Sequence, residues 1–161
     1  MPDSGAERRP ESSASGGSGS SASGGSEGSS QDGSGGSSVY ALLGGEAGVR
    51  CLVDRFYDLM ALEPAYAQLR SLHPALLDGS RDKLFWYLSG WLGGPNLYIE
   101  RFGHPRLRAR HLPYSIGVVE RDQWLACMRQ AMIDQGVEPW LRERLEAAFD
   151  KTADWMRNRA E

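Results

Sequence analysis

The feature of this sequence that most constrains its fold is the spacing of its apolar residues, which recur every three or four positions through several long stretches. In the clearest one, 49–60, they form a single stripe along a helix. No stretch alternates with period two for long, so a β-sheet is not expected. Glycine and proline separate the stretches and predict helices at 39–43, 49–60, 65–72, 78–92, 120–135 and from about 138. Short polar side chains at 78–80 would cap the helix at 78–92, a loop would follow it, and Pro105 would lie in the first turn of a short helix that ends at 111. Such helices fit either an ordinary bundle or a more compact packing.

Composition divides the chain into two unlike parts. Residues 1–38 contain 14 Ser and 10 Gly and almost no apolar side chains. Such a segment cannot bury enough apolar surface to offset its chain entropy, so a disordered tail is expected there. Residues 39–161 hold all the aromatic residues and form one domain of 123 residues, which is long enough for a hydrophobic core.

The charge of the predicted domain is balanced, with 16 Lys and Arg against 16 Asp and Glu residues. The net charge of −3 therefore comes from the tail. A balanced domain gives no reason to expect a nucleic-acid or acidic-membrane partner. The exception is a basic run that, taken alone, is typical of a solvated face: Arg101, Arg106, Arg108 and Arg110.

No stretch is apolar enough to span a bilayer, and no apolar region follows the charges near the N-terminus. A cytoplasmic protein is therefore expected. Cys51 and Cys127 both fall in apolar helical stretches. This placement favours two reduced, buried thiols over a disulfide or a zinc site.

Histidine is scarce, and the chain contains His73, His104 and His111. Their spacing lacks the i, i+4 pattern of a helical metal site, and His104, which precedes a proline, is typical of a loop or cap. His111 lies two residues before a proline, where a short helix must stop. A neutral imidazole there suits axial coordination of a haem iron, but a histidine at a helix end is also favoured by the helix dipole alone.

The stretch from 93 to 128, with two upstream pairs, carries a distinctive series of residues. They are Gly44-Gly45, Phe56-Tyr57, Gly93-Gly94-Pro95, Tyr98, Gly103-His104-Pro105, Leu107-Arg108-Ala109-Arg110-His111, Pro113, Glu120-Arg121-Asp122, Trp124 and Cys127-Met128. This pattern closely resembles the group II truncated globins over residues 40–157. The resemblance implies an all-α, truncated globin-like fold, a two-over-two helical sandwich over 39–161 that holds haem b (iron protoporphyrin IX).

The resemblance also implies roles for individual residues around the haem. The family's proximal iron ligand falls on His111, and its distal tyrosine and tryptophan fall on Tyr57 and Trp124. Both distal side chains could otherwise be plain core aromatics. In a haem pocket, the tyrosine hydroxyl and the indole N–H would donate hydrogen bonds to a diatomic ligand.

Three further distal positions follow from the same alignment. His73 stands where relatives often have Tyr or Phe, and it would either add a hydrogen bond to the ligand or bind the iron itself. Ser80 aligns with the distal histidine of larger globins and would leave an open entrance. Leu84, one turn further, cannot donate a hydrogen bond. Around the pocket rim, Arg110, Lys83 and Tyr98 match the positions from which the family binds the haem propionates.

The leading interpretation is a haem protein that binds dioxygen and other diatomic ligands reversibly. A second is a haem-dependent redox enzyme acting on nitric oxide or peroxide, which would need a separate, unidentified electron donor. A third, from another class, is a cofactor-free helical interaction domain. Its absorption spectrum would distinguish it from the other two, because a protein without haem is colourless.

Overall fold

The computed structural model describes residues 36–160, and within that range every regular element is helical. The elements are α1 Val39–Leu42, α2 Gly45–Leu62, a 3-10 turn Pro64–Tyr66, α3 Ala67–Ser71, α4 Asp78–Trp91, α5 Leu97–Phe102, α6 Leu107–His111, α7 Val118–Asp134 and α8 Pro139–Met156. The predicted tail, 1–38, lies outside the described residues except for its last three positions. Of these, Ser38 caps α1, since its hydroxyl accepts a hydrogen bond from the Ala41 N–H at 3.2 Å.

Two pairs of long helices form the two layers of the sandwich. α2 packs against α4 in one layer, α7 packs against α8 in the other, and α2 also packs across onto α7. The expected two-over-two arrangement is confirmed. The core lies between the layers and is built from the apolar stripe of α2, with Val49, Val53 and Phe56 almost fully buried, against Met128 and Met132 of α7.

Aromatic rings continue this core from α4 to α2. Trp91 stacks on Phe149 with ring centroids 4.9 Å apart, and Phe149 meets Trp124 at 5.3 Å. Trp124 in turn lies 5.4 Å from Phe56, which contacts Tyr57 edge-on at 5.1 Å. The first pair is stacked, the Phe56–Trp124 pair is tilted, and the other two have the edge-on geometry that aromatic rings prefer. This series of rings links α4, α8, α7 and α2.

The start of α4 differs from the expectation that short polar side chains cap it. The helix begins at Asp78, and the residue before it, Leu77, makes no side-chain capping hydrogen bond. Asp78 instead contributes a negative charge to the first turn, where the helix dipole favours it. The helix ends, as expected, just before two glycines, of which Gly93 adopts a φ of +92°.

The region between α4 and α7 holds the larger differences. A loop was expected before residue 105, but Leu97–Phe102 forms α5, which packs on α4. Pro105 was expected in the first turn of the next helix, but α6 begins two residues later, after Arg106 in the left-handed conformation with φ +46°. The backbone N–H of Arg106 donates to His104 Nδ1 at 3.1 Å.

The two cysteines differ in environment. Cys127 is buried, and its thiol donates to the Phe56 carbonyl at 3.2 Å, whereas Cys51 is exposed on the outer side of α2. The prediction that both thiols are buried is therefore wrong for Cys51. Across residues 36–160, no helix has the length and hydropathy required to cross a bilayer.

Candidate functional site

The imidazole of His111 is held in a single orientation at the end of α6. It is half-buried, and its Nδ1 lies 2.6 Å from the Leu107 carbonyl oxygen. Because a carbonyl can only accept, Nδ1 carries the hydrogen and Nε2 keeps its lone pair. A histidine whose second nitrogen donates to a backbone carbonyl is the form commonly found bound to metals.

Tyr57 lies on α2 and is 5% exposed. Its ring contacts His73 edge-on at 5.9 Å, and the Arg81 guanidinium lies 5.8 Å from the ring centroid. Burial raises the pKa of the Tyr57 hydroxyl well above its usual range, so it remains a protonated donor at neutral pH. Within residues 36–160, no side chain or carbonyl accepts a hydrogen bond from this hydroxyl.

Trp124 occupies the neighbouring position on α7 and is half-buried between Phe56 and Phe149. Its indole N–H likewise has no acceptor among the residues that the structure describes. The structure therefore places Tyr57 and Trp124 on either side of Phe56, and His73 against Tyr57. It leaves two donors there without an acceptor from the described part of the protein.

His73 is an acceptor rather than a donor in this setting. Its Nδ1 lies 2.9 Å from the Leu69 carbonyl oxygen, so Nδ1 carries the hydrogen and Nε2 keeps a lone pair. Burial is the main cause that lowers the pKa of His73, and the charges of Arg70 and His111 lower it further.

Ser80 and Leu84 lie one turn apart on α4, and both are half-buried. Their helix is joined to α2 by Arg81, which pairs with Asp58 at 2.6 Å and Asp54 at 3.3 Å. Sequence reasoning missed Arg81. The only signal in the sequence was that Asp54 and Asp58 lie one turn apart on a predicted helix, and this spacing does not indicate which cation they bind.

The residues expected at the pocket rim are only partly brought together. The Arg110 guanidinium lies 5.6 Å from the ring centroid of Tyr98, which is buried on α5. Lys83 is exposed on α4 and makes no ion pair with another residue in the described range.

The other arginines of the basic run are exposed, as expected of a solvated face, and two of them also lie over aromatic rings. Arg101 lies over the Trp86 ring at 4.4 Å, and Arg108 over the Trp155 ring at 5.1 Å. These contacts place two of the arginines against aromatic surface on other helices.

Haem requires an axial nitrogen, apolar surface for its macrocycle and cations for its carboxylates. The described residues fit it: His111 offers a free Nε2, Arg110 a cation, and Leu84, Tyr87 and Trp91 are half-buried apolar residues on one helix, α4. No group of three or more His, Cys, Asp or Glu side chains within 36–160 is arranged to hold a bare metal ion.

Two grooves are also present among the described residues, and the second is lined in part by Tyr87 of α4. One, of about 850 Å³, runs between α7 and α8; another, of about 680 Å³, lies between α6 and the C-terminal end of α8. Neither is lined by His111, Tyr57 or Trp124. The candidate site is therefore defined by its side chains and not by either groove.

Comparison with known proteins assigns this arrangement to a family. The family model for bacterial-like globins matches residues 38–158. Among characterised proteins, the group 2 truncated hemoglobin YjbI of Bacillus subtilis is 42% identical over 117 residues, which are 73% of this chain and 86% of that protein.

Solved structures give the same result. The group II 2-on-2 hemoglobin from the plant pathogen Agrobacterium tumefaciens superposes with a TM-score of 0.76 at 44% identity, covering 80% of this chain and 99% of that chain. The cold-adapted truncated hemoglobin from the Antarctic marine bacterium Pseudoalteromonas haloplanktis superposes with a TM-score of 0.75 at 43% identity, covering 77% of this chain and 100% of that chain.

Proposed function

The chain belongs to the bacterial-like globin family, among its group II truncated haemoglobins, and on that premise we propose that His111 binds the iron of haem b in a protein that binds dioxygen and other diatomic ligands reversibly. Haem b, when bound, would supply an iron that can bind such ligands. The cofactor-free interaction domain is not favoured, because the family is a haem-binding one.

The proximal role of His111 is supported by its hydrogen bond to Leu107. This bond fixes the ring and leaves the Nε2 lone pair available, so no proton has to leave before a metal binds. The ring does not depend on a carboxylate for its orientation, because the backbone carbonyl provides the acceptor.

The distal role of Tyr57 and Trp124 is supported by their unused donors. Both groups carry a hydrogen that no described residue accepts, and both can donate to a ligand that acquires partial negative charge. Since Tyr57 is almost fully buried, its hydrogen bond would form with little competition from water. Ser80 and Leu84 would then line the side of the pocket formed by α4.

Arg110, with Tyr98 beside it, would bind a haem propionate, and Lys83 on α4 is free to bind the other. Reversible ligand binding also needs ferrous iron, so a separate electron donor belongs to the proposal. We also propose a cytoplasmic location, because no stretch of the sequence is apolar enough to span a bilayer and no apolar region follows the charges near the N-terminus.

One observation carries the proposal: His111, with its Nε2 lone pair free, lies within the segment that matches the family model. The test is the absorption spectrum of the purified protein with added haem, under argon, oxygen and carbon monoxide. We expect a Soret band that shifts with each gas.

The matched variants are His111→Ala and His104→Ala. His111→Ala should lose stable haem binding, and it is best tested together with His73→Phe so that the His73 imidazole cannot replace it as iron ligand. His104→Ala should keep the spectrum. A normal, gas-sensitive Soret band in the His73→Phe/His111→Ala protein would contradict the assignment.

A further inference from the structure

Asn158, two residues beyond α8, forms four hydrogen bonds with the end of α6 and the segment that follows it. Its Nδ2 donates to the His111 carbonyl at 3.2 Å and to the Tyr114 carbonyl at 2.6 Å. Its Oδ1 accepts from the Ile116 N–H at 3.0 Å, and its own backbone N–H donates to the Ile116 carbonyl at 3.0 Å. The reverse amide orientation would face oxygen with oxygen, so the pattern permits only this one.

Arg108 also attaches α6 to the part of the chain that contains Asn158. The Arg108 guanidinium donates to the Trp155 carbonyl and, at 3.3 Å, to the Arg157 carbonyl, and it lies over the Trp155 ring. Residues 155–158, which we call the C-terminal clamp, therefore hold α6 both near its start and at its end.

α6 needs such support because it cannot specify its own position. It has five residues, fewer than an isolated helix requires to be stable. It follows Arg106, whose left-handed backbone conformation is unfavourable for a residue with a side chain. It also has no side-chain N-cap.

We propose that Asn158 is a positioning residue for the proximal histidine and that it acts through the His111 backbone. The His111 ring is tied to the Leu107 carbonyl and its main chain is tied to Asn158, so the direction of Nε2 is set by both attachments. The Arg108 guanidinium attaches the same helix to the Trp155 and Arg157 carbonyls of the C-terminal clamp. This role rests on the proposed function of His111, and it concerns how firmly Nε2 is directed at its metal.

The first test measures the attachment itself and needs no haem. Asn158→Asp keeps the acceptor for Ile116 but removes both donors, and Asn158→Ala removes all three side-chain bonds. Arg159→Ala is the matched control, because only its backbone N–H contacts the loop, at 3.3 Å from the Ile116 carbonyl.

Amide hydrogen exchange of the full-length protein gives the readout. Tyr114 N–H, which donates to the His111 carbonyl at 3.0 Å, should exchange about tenfold faster in Asn158→Asp, while Ile116 N–H stays protected. Both should exchange faster in Asn158→Ala and neither in Arg159→Ala. Unchanged Tyr114 exchange in both Asn158 variants would overturn the clamp.

The second test asks whether the clamp reaches the metal. In the ferrous, ligand-free holoprotein, the iron–histidine stretching band in resonance Raman spectra should move to lower frequency and broaden in Asn158→Asp and Asn158→Ala. If the charged Asn158→Asp and the neutral Asn158→Ala shift the band alike, the shift is due to the lost Nδ2 donors and not to the added charge. Arg108→Gln should shift the band in the same direction, and Arg159→Ala should not.

A detached ligand separates positioning from general destabilisation. In His111→Gly supplied with imidazole, the iron ligand is no longer attached to the backbone, so Asn158→Asp should add no further shift. A lowered thermal midpoint with an unchanged band would show that Asn158 has only a structural role. Failure of the proposed function would look different: His73→Phe/His111→Gly would keep its haem spectrum without imidazole, whatever residue 158 is.

Discussion

Tyr57→Phe isolates the distal hydrogen bond because it removes one oxygen atom and little else. The ring is 5% exposed, and Phe would keep the edge-on contact with Phe56 at 5.1 Å and the contact with His73 at 5.9 Å. Since burial raises the pKa of the hydroxyl far above neutrality, the native side chain is a donor at every pH at which the protein would be studied.

The size of the effect follows from the kind of acceptor. A hydrogen bond to a partly charged acceptor contributes about 1.5–3 kcal/mol, and 1.4 kcal/mol corresponds to about tenfold in an equilibrium constant. If the association rate is unchanged, oxygen dissociation should become about 10- to 150-fold faster. The lower end is expected, because the Trp124 indole remains as a second donor and the two contributions do not simply add.

His73 provides the internal comparison. Its Nδ1 hydrogen is engaged with the Leu69 carbonyl, so the neutral ring has no hydrogen to offer the ligand. His73→Phe should therefore leave oxygen dissociation nearly unchanged, both by itself and when it is added to Tyr57→Phe. A large acceleration by His73→Phe would mean that the ring is turned or protonated and donates.

Stopped-flow replacement of oxygen by carbon monoxide, on the four combinations at positions 57 and 73, measures these rates. Tyr66→Phe is the matched control and should have no effect, because Tyr66 lies on the 3-10 turn and lines the groove between α7 and α8. Carbon monoxide dissociation should change less, because that ligand acquires less negative charge. Unchanged oxygen release in all four proteins would refute the distal pocket.

Three further predictions concern the fold. A thiol reagent should label Cys51 and spare Cys127 in the native protein, because burial raises the pKa of Cys127 to about 12; two labels without denaturant would contradict the burial. Arg81→Gln should lower the free energy of unfolding in urea by about 1 kcal/mol, since its ion pairs are partly exposed, and the loss should shrink at high salt. Adding Asp58→Asn should then cost little more, whereas full additivity would mean that the pair does not interact. Deleting residues 1–35, which lack core-forming side chains, should leave the thermal midpoint and the haem spectrum nearly unchanged; a large loss would show that they dock.

The long helices could be predicted because their apolar residues carry the period themselves. The stripe from Val49 to Met60 needs no partner to be recognised, and Gly136, with φ +71°, marks the break between the last two helices. α5 and the start of α6 could not be predicted in this way. α5 has only six residues and no side-chain cap, so its packing on α4 and not its local sequence makes it helical.

The site was predictable in its residue types and not in its contacts. The family pattern pointed to His111, Tyr57 and Trp124, but their hydrogen-bonding state depends on the surroundings. The tautomer of His73 follows from a backbone carbonyl four residues earlier, which every sequence has. Asn158 lies 47 residues from His111 in a polar stretch without periodicity, so nothing local marks it as a partner.

The series of aromatic rings from Trp91 to Tyr57 also bears on the order of events during folding. Its contacts join residues far apart in the chain: Trp91 reaches Phe149 on α8, and Phe56 reaches Trp124 on α7. Contacts of such long sequence separation form slowly, because a large loop must close before they are made. α2 can become helical early, but Tyr57 and Trp124 acquire their fixed relative positions only when α7 and α8 have docked. The relative placement of Tyr57 and Trp124 is therefore a property of the completed fold, and we expect a fragment that ends before α8 to leave the two side chains unaligned.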